Sequence, residues 1–392
     1  MSKRITKLLA VLLGASLLAG CAASVPVTES QSELKSENTQ EVDTATETDT
    51  TVESVTEMET ETETETMKEP EIIPQPVVTT FTISAVGDCS LGALQTHGYA
   101  GSFYQYYDKY GEAYFFQNFK EIFEEDDVTL VNLECVLSDE TSRVEKEFSI
   151  KGYPKYVGIL SSASIEACSL GNNHTQDYGK ASLTDTKQAL EGAGILYAFN
   201  DEIAYYTTAD GVKVAMLSTS LFSRAKEKYL LNGIEEAKEA GADLIVASCH
   251  WGTERVYFPS NYQRDFAHRL IDAGVDLIIG HHPHVLQGIE YYKGKVICYS
   301  LGNFCFGANR NPGDKNTLVF QQTFTWVDGV LQENLDAKII PSILSSKKNT
   351  NNFQPMVAEG DAAEEILNKM NEYSEPYSKL YFDEDGELMI RE

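Results

Sequence analysis

Between Phe81 and Ile279 the chain repeats one unit: a short β-rich apolar run that ends in polar residues, then a stretch with helical spacing. The runs Phe81–Asp88 (FTISAVGD), Val128–Cys135 (VTLVNLEC), Ala167–Leu170, Val212–Ser218, Leu244–Ser248 and Leu277–Ile279 read as strands. Helical spacing falls at Ala113–Glu125, with Phe116, Phe119, Ile122 and Phe123 on one face, and at Gly179–Gly192, which closes on a glycine. It recurs at Tyr262–Ala273, where Phe266, Leu270 and Ile271 form the apolar stripe. Alternation of this kind leaves few folds open and predicts an α/β core. From Val285 the pattern turns to strands divided by turns (GIEYY, KGKVICYSLG, TLVFQQTFTW, VLQENLDAKII), which predicts an antiparallel closing portion. Residues 346–392 are polar, with one helix expected at Ala362–Asn371.

What precedes the repeat is of another kind. MSKRITK followed by LLAVLLGASLLAGC has the charged start and short apolar run of a secretory signal, too short and rich in small residues for a comfortable span. Leu18-Ala19-Gly20-Cys21 resembles a bacterial lipobox, which implies that residues 1–20 are a lipoprotein signal peptide and that Cys21 is lipidated. Lipid on Cys21 would tether the chain to the extracellular face of the cell membrane. Residues 21–78 form an acidic Thr/Glu-rich linker, expected to be disordered because it cannot bury enough apolar surface to offset ordering. The whole chain carries a formal charge of −29, and the acidity extends beyond the linker into the body. That balance argues against nucleic acid as a partner. Apart from Cys21, six cysteines remain, five of them in or beside apolar strand-like runs. They read as small buried hydrophobes more than as bridges, and no CxxC spacing supports a thiolate metal site.

The chemistry collects at the strand ends. Asp88 follows SAVG, and Asn132 and Glu134 lie in VNLE. Asn172, Asn173, His174 and Asp177 follow SLG, His250 follows VAS, and His281, His282 and His284 follow LIIG. Loops at the carboxyl ends of strands in α/β sheets converge on one crevice. Five of the seven histidines stand in these loops. His282 and His284 form an H-x-H pair, which puts two imidazoles on one side of an extended segment. Imidazole, carboxylate and amide oxygen together suit Mn, Fe, Zn or Mg, so one or two divalent metal ions per chain are expected. A cation there acidifies water and polarises a scissile group, and an imidazole in reach protonates the leaving atom. Glu254 and Arg255 either orient a ligand or pair on the surface, and Asn303 either binds substrate or braces the turn that Gly302 suits. Trp251 shapes the mouth of the crevice or packs. Lys151 is the basic residue near a motif-like loop.

Six ordered motifs carry a resemblance: GD at 87–88, NLE at 132–134, GNNHTQDYG at 171–179, CHWGTE at 249–254, GHHPHVLQGIE at 280–290 and YSLGNF at 299–304. They resemble the CapA family of poly-γ-glutamate capsule synthesis, within the calcineurin-like metallophosphoesterase superfamily, and cover about residues 80–310. The resemblance implies a four-layer α/β/β/α sandwich over residues 79–345, with 346–392 as a C-terminal extension. It implies Asp88, Glu134, Asn173, His250, His282 and His284 as metal ligands, with Glu134 in the bridging place. His174 becomes the transition-state acid, with Asp177 beside it in the catalytic set. Asn132, Asn172, His281, Glu254 and Asn303 fall to substrate binding. Asn172 competes with Asn173 as ligand, and His281 with His282. Ser90 stands where the superfamily pattern has a histidine, so one tight metal and one weak or absent metal are expected. Two functions follow from the resemblance. One is a membrane-anchored extracellular metal-dependent hydrolase, phosphoesterase-like or amide-cleaving, acting on an envelope polymer such as poly-γ-glutamate or on a phosphoester. The other is a non-catalytic assembly or export factor within a membrane-bound capsule synthesis complex.

Overall fold

The computed structural model describes residues 75–391. The signal peptide expected at 1–20, Cys21 and the acidic linker as far as residue 74 lie outside the described residues. No helix among the described residues is long and apolar enough to cross a membrane.

In chain order the first strands are β1 (Val78–Ser90), β2 (Val128–Leu133), β3 (Ala167–Ser169), β4 (Leu196–Ala198), β5 (Ala204–Thr207), β6 (Lys213–Ser220), β7 (Leu244–His250) and β8 (Leu277–His281). They are followed by β9 (Ile289–Tyr292), β10 (Lys295–Cys298), β11 (Asn303–Phe306), β12 (Asn316–Val327), β13 (Ala337–Ile343) and β14 (Met356–Val357). One sheet runs β14-β13-β12-β1-β2-β3-β4, parallel from β1 to β4 and antiparallel on the β12 side, with β11 joining the end of β1 in parallel. The second runs β9-β10-β8-β7-β6-β5, parallel from β10 to β6 with an antiparallel strand at each edge. The helices are α1 (Phe103–Tyr110), α2 (Lys120–Glu125), α3 (Val157–Ser161), α4 (Gly179–Gly192), α5 (Glu227–Glu239), α6 (Asn261–Asp272) and α7 (Asp361–Ser374).

Strand periodicity assigns the layers, because successive side chains point to opposite faces. Phe81, Ile83, Ala85 and Leu130 of the first sheet meet Val214, Met216, Val246 and Ile279 of the second in a core between the sheets. The alternate residues Val86, Val131 and Cys168 turn outward onto Ile159, Leu160, Leu183 and Leu190 of α3 and α4. On the far side, Ala215, Leu217, Ile245 and Ala247 turn outward onto Leu230 and Ile234 of α5 and Phe266 and Leu270 of α6. The architecture is therefore the four-layer α/β/β/α sandwich.

Helix α4 spans the residues its spacing predicts. Helix α6 starts one residue early because Ser260 and Gln263 form a capping box. The helix expected over 113–125 is broken: a short 3-10 turn at Glu112–Tyr114 is followed by turns, and α-helix resumes only at α2. Phe115 stacks on Phe103 with ring centroids 4.3 Å apart, while Phe116 and Phe119 reach Phe304. Adjacent residues on a helix point about 100° apart, so one straight helix cannot send both phenylalanines into these two places. The polar tail contributes to the core as well. Ile366 and Met370 of α7, with Leu380, Phe382 and Leu388, are buried in the same core that lies between the sheets. All six cysteines from Cys89 to Cys305 are buried and free, as their apolar settings predict.

Candidate metal centre and its cleft

Asp88 reaches the site because β1 changes register between Ala85 and Asp88. At that step Gly87 lies against the 299–304 loop, where an added Cβ would come 2.1 Å from the Gly302 carbonyl oxygen. Only glycine allows so close an approach. Gly302 itself has φ +71 and accepts the Asp88 N–H at 2.8 Å, so the tight turn expected there is present. Asp88 consequently sits beside Asn132 of β2 and Asn303 of β11. In the second sheet, His250 at the end of β7 pairs with His281 at the end of β8. The carboxyl ends of both sheets thus meet: Asp88, Asn132 and Glu134 come from one, and His250, His281, His282 and His284 from the other.

Three ligand groupings result, each with its donor atoms within 4.8 Å of one another: Glu134, His250 and His282; Asp88, Glu134 and His284; and Glu254, His282 and His284. Glu134 is common to the first two. Its Oε1 lies 3.5 Å from His250 Nε2 and its Oε2 lies 3.9 Å from His284 Nδ1, yet neither oxygen accepts a hydrogen bond from any described residue. His284 Nδ1 is nearer to Asp88 Oδ2, at 3.1 Å, and to Asn303 Oδ1, at 2.9 Å. His281 Nδ1 lies 3.4 Å from Asp88 Oδ1. Backbone strain marks the same loop, with His282 at φ +96 and His284 at φ +55.

The electrostatics follow from burial and crowding. Burial works against the Asp88 charge, but His281 and His284 outweigh it and hold the carboxyl well below its usual range. Burial and the Asp88 carboxylate push Glu134 well above that range. Burial and the neighbouring His282 hold His250 well below the ordinary imidazole value, and burial with His284 brings His282 down to about 4. His284 is the exception: burial opposes its charge, but Glu134 and Asp88 raise it to about 10.

The loop after β3 supplies a second constellation. His174 Nδ1 donates to Asp177 Oδ2 at 2.7 Å, which leaves Nε2 as the ring atom able to hold or move a proton. Burial lowers the His174 pKa, against the pull of Asp177. Asp177 is fixed in turn by the Ile150 N–H at 2.6 Å and by Lys146 Nζ at 2.6 Å. Lys146 also donates to the Asn173 carbonyl at 3.0 Å. The Asn172 amide faces inward: Nδ2 donates to Asn132 Oδ1 and to the Leu133 carbonyl, and Oδ1 accepts the His174 N–H. Asn173 is the one of the pair that reaches the imidazoles, with Oδ1 2.9 Å from His250 Nε2.

Several residues sit elsewhere than substrate binding requires. Asn132 is fully buried; its Nδ2 donates to Asp88 Oδ1 at 2.8 Å and lies 3.3 Å from His250 Nδ1, so it braces the centre from beneath. Asn172 is committed to the loop as described, and His281 is buried behind Asp88. Asn303 holds His284 from both sides, since its Nδ2 also donates to the His284 carbonyl. Glu254 does face the cleft. Ser90 accepts the Ala308 N–H and is fully buried, so the position that departs from the family pattern is closed. Trp251 is packing, fully buried with Nε1 donating to the Tyr299 carbonyl. Lys151 donates to the Glu140 carbonyl and lies over the Tyr178 ring. Two neighbours of the centre were missed in the sequence. Lys146 lies in a loop without pattern, and Phe222, half-exposed after β6, meets the His282 ring edge-on at 4.5 Å.

The donor set fits a divalent cation. Both Glu134 oxygens, both His281 ring nitrogens and His282 Nδ1 are buried without hydrogen-bond partners among the described residues. Burial holds His250 and His282 toward the neutral imidazole that ligates, and His284, raised to about 10 by Glu134 and Asp88, would release its proton on binding a cation. A cleft of about 470 Å³ opens beside them, lined by His174, Glu254, Arg255, Tyr257, His284 and Asn303 among others.

The profile of the family described as Bacterial capsule synthesis protein PGA_cap matches residues 82–308. Over 214 residues the chain is 34% identical to the PGA biosynthesis protein CapA of Bacillus subtilis (strain 168), covering 49% of this chain and 56% of that protein. Over 226 residues it is 34% identical to the Capsule biosynthesis protein CapA of Bacillus anthracis, covering 51% and 55%. It is 28% identical over 217 residues to the Probable polyglutamine synthesis accessory protein MT0602 of Mycobacterium tuberculosis (strain CDC 1551 / Oshkosh), covering 45% and 55%. The matched stretch therefore spans little more than half the length of each relative. Among solved structures, TT1561 of Thermus thermophilus aligns at 11% identity and a TM-score of 0.36, over 62% of this chain and 94% of its own.

Proposed function

Because the chain belongs to the PGA_cap family of bacterial capsule synthesis proteins, we propose that it serves poly-γ-glutamate assembly at the cell envelope through a metal-dependent hydrolase-type centre. The observation that carries this reading is the buried Glu134 carboxylate, without a hydrogen-bond donor among the described residues and common to two ligand groupings. Asp88, Glu134, Asn173, His250, His282 and His284 are the residues that would hold the cation. A divalent cation supplies Lewis-acid polarisation of the scissile group and acidification of water. Asp177, fixed by Lys146 and the Ile150 N–H, sets the His174 ring so that Nε2 is the atom that would give a proton to the leaving atom. Asn132 and Asn303 hold Asp88 and His284 in place. The closed Ser90 position supports one tight metal over two. Lipidation of Cys21 belongs to the same proposal, as does placement on the outer face of the membrane, with residues 21–78 as the spacer.

Metal analysis of the purified chain and two variants tests the centre. His284→Ala is expected to lose metal, whereas His174→Ala keeps it and loses about 10²–10⁴ in turnover on an activated phosphoester or γ-glutamyl substrate. The reverse pattern overturns the assignment of roles. A wild-type chain that takes up no Mn, Fe, Zn or Mg under any loading condition leaves the assembly-factor role in its place.

A further inference from the structure

The cleft beside the metal centre is lined by one guanidinium that nothing among the described residues engages. Arg255 is exposed there, and among the described residues its side chain forms no ion pair, hydrogen bond or ring contact. Of the other charged groups of the cleft, Asp314, His174 and His284 have partners, and Glu254 stands beside the metal-ligand histidines. Asp314 accepts the Tyr257 hydroxyl at 3.1 Å, His174 is held by Asp177 and His284 by Asp88, while Glu254 has an oxygen within 4.8 Å of ring nitrogens of His282 and His284.

The backbone at Arg255 is equally telling. Its φ is +60, a conformation that glycine or asparagine adopts far more readily than arginine. The Arg255 N–H donates to the Pro283 carbonyl at 2.8 Å, which ties this strained turn to the His282–His284 loop. Packing gives no reason for an arginine here, because the side chain is exposed and unbonded, and turn geometry argues against one. Strain retained at a site edge without a structural return points to function. The setting says which function: beside the carboxylates of Glu254 and Asp314, Arg255 is the permanent positive charge among the residues that line the cleft. A guanidinium also presents a planar fork that matches an oxyanion with two parallel hydrogen bonds.

We propose that Arg255 is the anion-recognition residue of this cleft, binding an oxyanion of the substrate that is separate from the bond presented to the metal centre. The oxyanion is the carboxylate of an acidic peptide or the phosphate of a phosphoester. This inference rests on the reading of the cleft as a substrate site, and the position of Arg255 makes it a determinant of charge specificity.

The test uses the full chain loaded with Mn²⁺, a fluorescein-labelled γ-linked glutamate hexamer, its fully α-amidated neutral counterpart, and p-nitrophenyl phosphate. Binding of the two hexamers is read by fluorescence anisotropy and binding of p-nitrophenyl phosphate by calorimetry. Arg255→Gly relieves the backbone, so its melting temperature is expected to be unchanged or raised and its metal content unchanged. Its affinity for one charged probe is expected to fall at least about tenfold, the size of a lost charge-assisted hydrogen bond, with the neutral hexamer unaffected. Arg255→Lys is expected to recover part of the loss. A loss confined to the hexamer identifies the anion as carboxylate, and a loss confined to p-nitrophenyl phosphate identifies it as phosphate. Arg255→Gly binding both charged probes within twofold of wild type overturns the proposal, as does a wild type that binds neither. If metal is absent from wild type but the Arg255→Gly loss persists, the metal reading fails and the anion site stands. If metal is present and the loss is absent, the metal reading stands alone.

Discussion

Glu134→Gln separates a carboxylate kept for a cation from one kept for packing. Glu134 is fully buried, and its two oxygens accept no hydrogen bond from any described residue. Its nearest cationic neighbour, His284, sits closer to Asp88, at 3.1 Å, than to Glu134, at 3.9 Å. A buried polar group left unsatisfied destabilises a fold by about 1–3 kcal/mol, and more when it is charged. Glutamine keeps the shape and carries no charge, whereas Glu134 must either bear one in this buried site or hold a proton against which a cation competes, its pKa being pushed well above the carboxylate range by burial and Asp88. In buffer with chelator the variant should therefore be more stable than wild type by on the order of 1 kcal/mol, or a rise of about 2–4 °C in melting temperature. With free metal at about 100 times its dissociation constant the sign reverses. Wild type then gains about 2.7 kcal/mol from binding, and a variant that has lost the cation forgoes it. Net of the first effect, Glu134→Gln should melt several degrees below wild type in Mn²⁺ buffer. The assay is a pair of thermal melts, each with and without chelator, alongside metal content by elemental analysis. A Glu134→Gln chain that melts lower than wild type by the same margin in both buffers would refute the reasoning, because the carboxylate would then be stabilising the fold without a cation.

Gly87→Ala places a Cβ 2.1 Å from the Gly302 carbonyl oxygen, a backbone atom that cannot swing aside. Overpacking of this kind destabilises by about 1–3 kcal/mol, so a lower melting temperature and, because Asp88 is the next residue, weaker metal binding are expected; a variant unchanged in both removes the close approach from the account of the site. Cys21→Ala should move the chain from the membrane fraction to the soluble fraction or stall its processing. A Cys21→Ala chain that is cleaved normally yet stays with the membrane excludes the lipid anchor.

Local pattern determined much of this protein. Alternation along β1, β6 and β7 marks which side chains face each layer, since strand periodicity is a property of the backbone and needs no partner. Gly179–Gly192 and the α6 stripe were legible for the same reason, as helical spacing is local. The α5 stripe of Leu230, Ile234 and Ala237 has the same local spacing. The residues of the centre could be named because loops at the carboxyl ends of strands in an α/β sheet converge on one crevice, and five of the seven histidines stand in them. Other features depended on which segments meet. The helix at 113–125 broke because Phe115 and Phe116 found separate pockets on Phe103 and Phe304. The polar tail entered the core because Ile366 and Met370 present a narrow stripe that only gains value against an existing core. Asn173 was distinguished from Asn172, and Glu134 came to belong to two ligand groupings, only when the ends of both sheets were set face to face. Lys146 reaches Asp177, 31 residues away, from a loop with no periodicity. A chain's spacing fixes its directions residue by residue, but contact between distant segments is decided by packing, and the site of this protein is made almost wholly of such contacts.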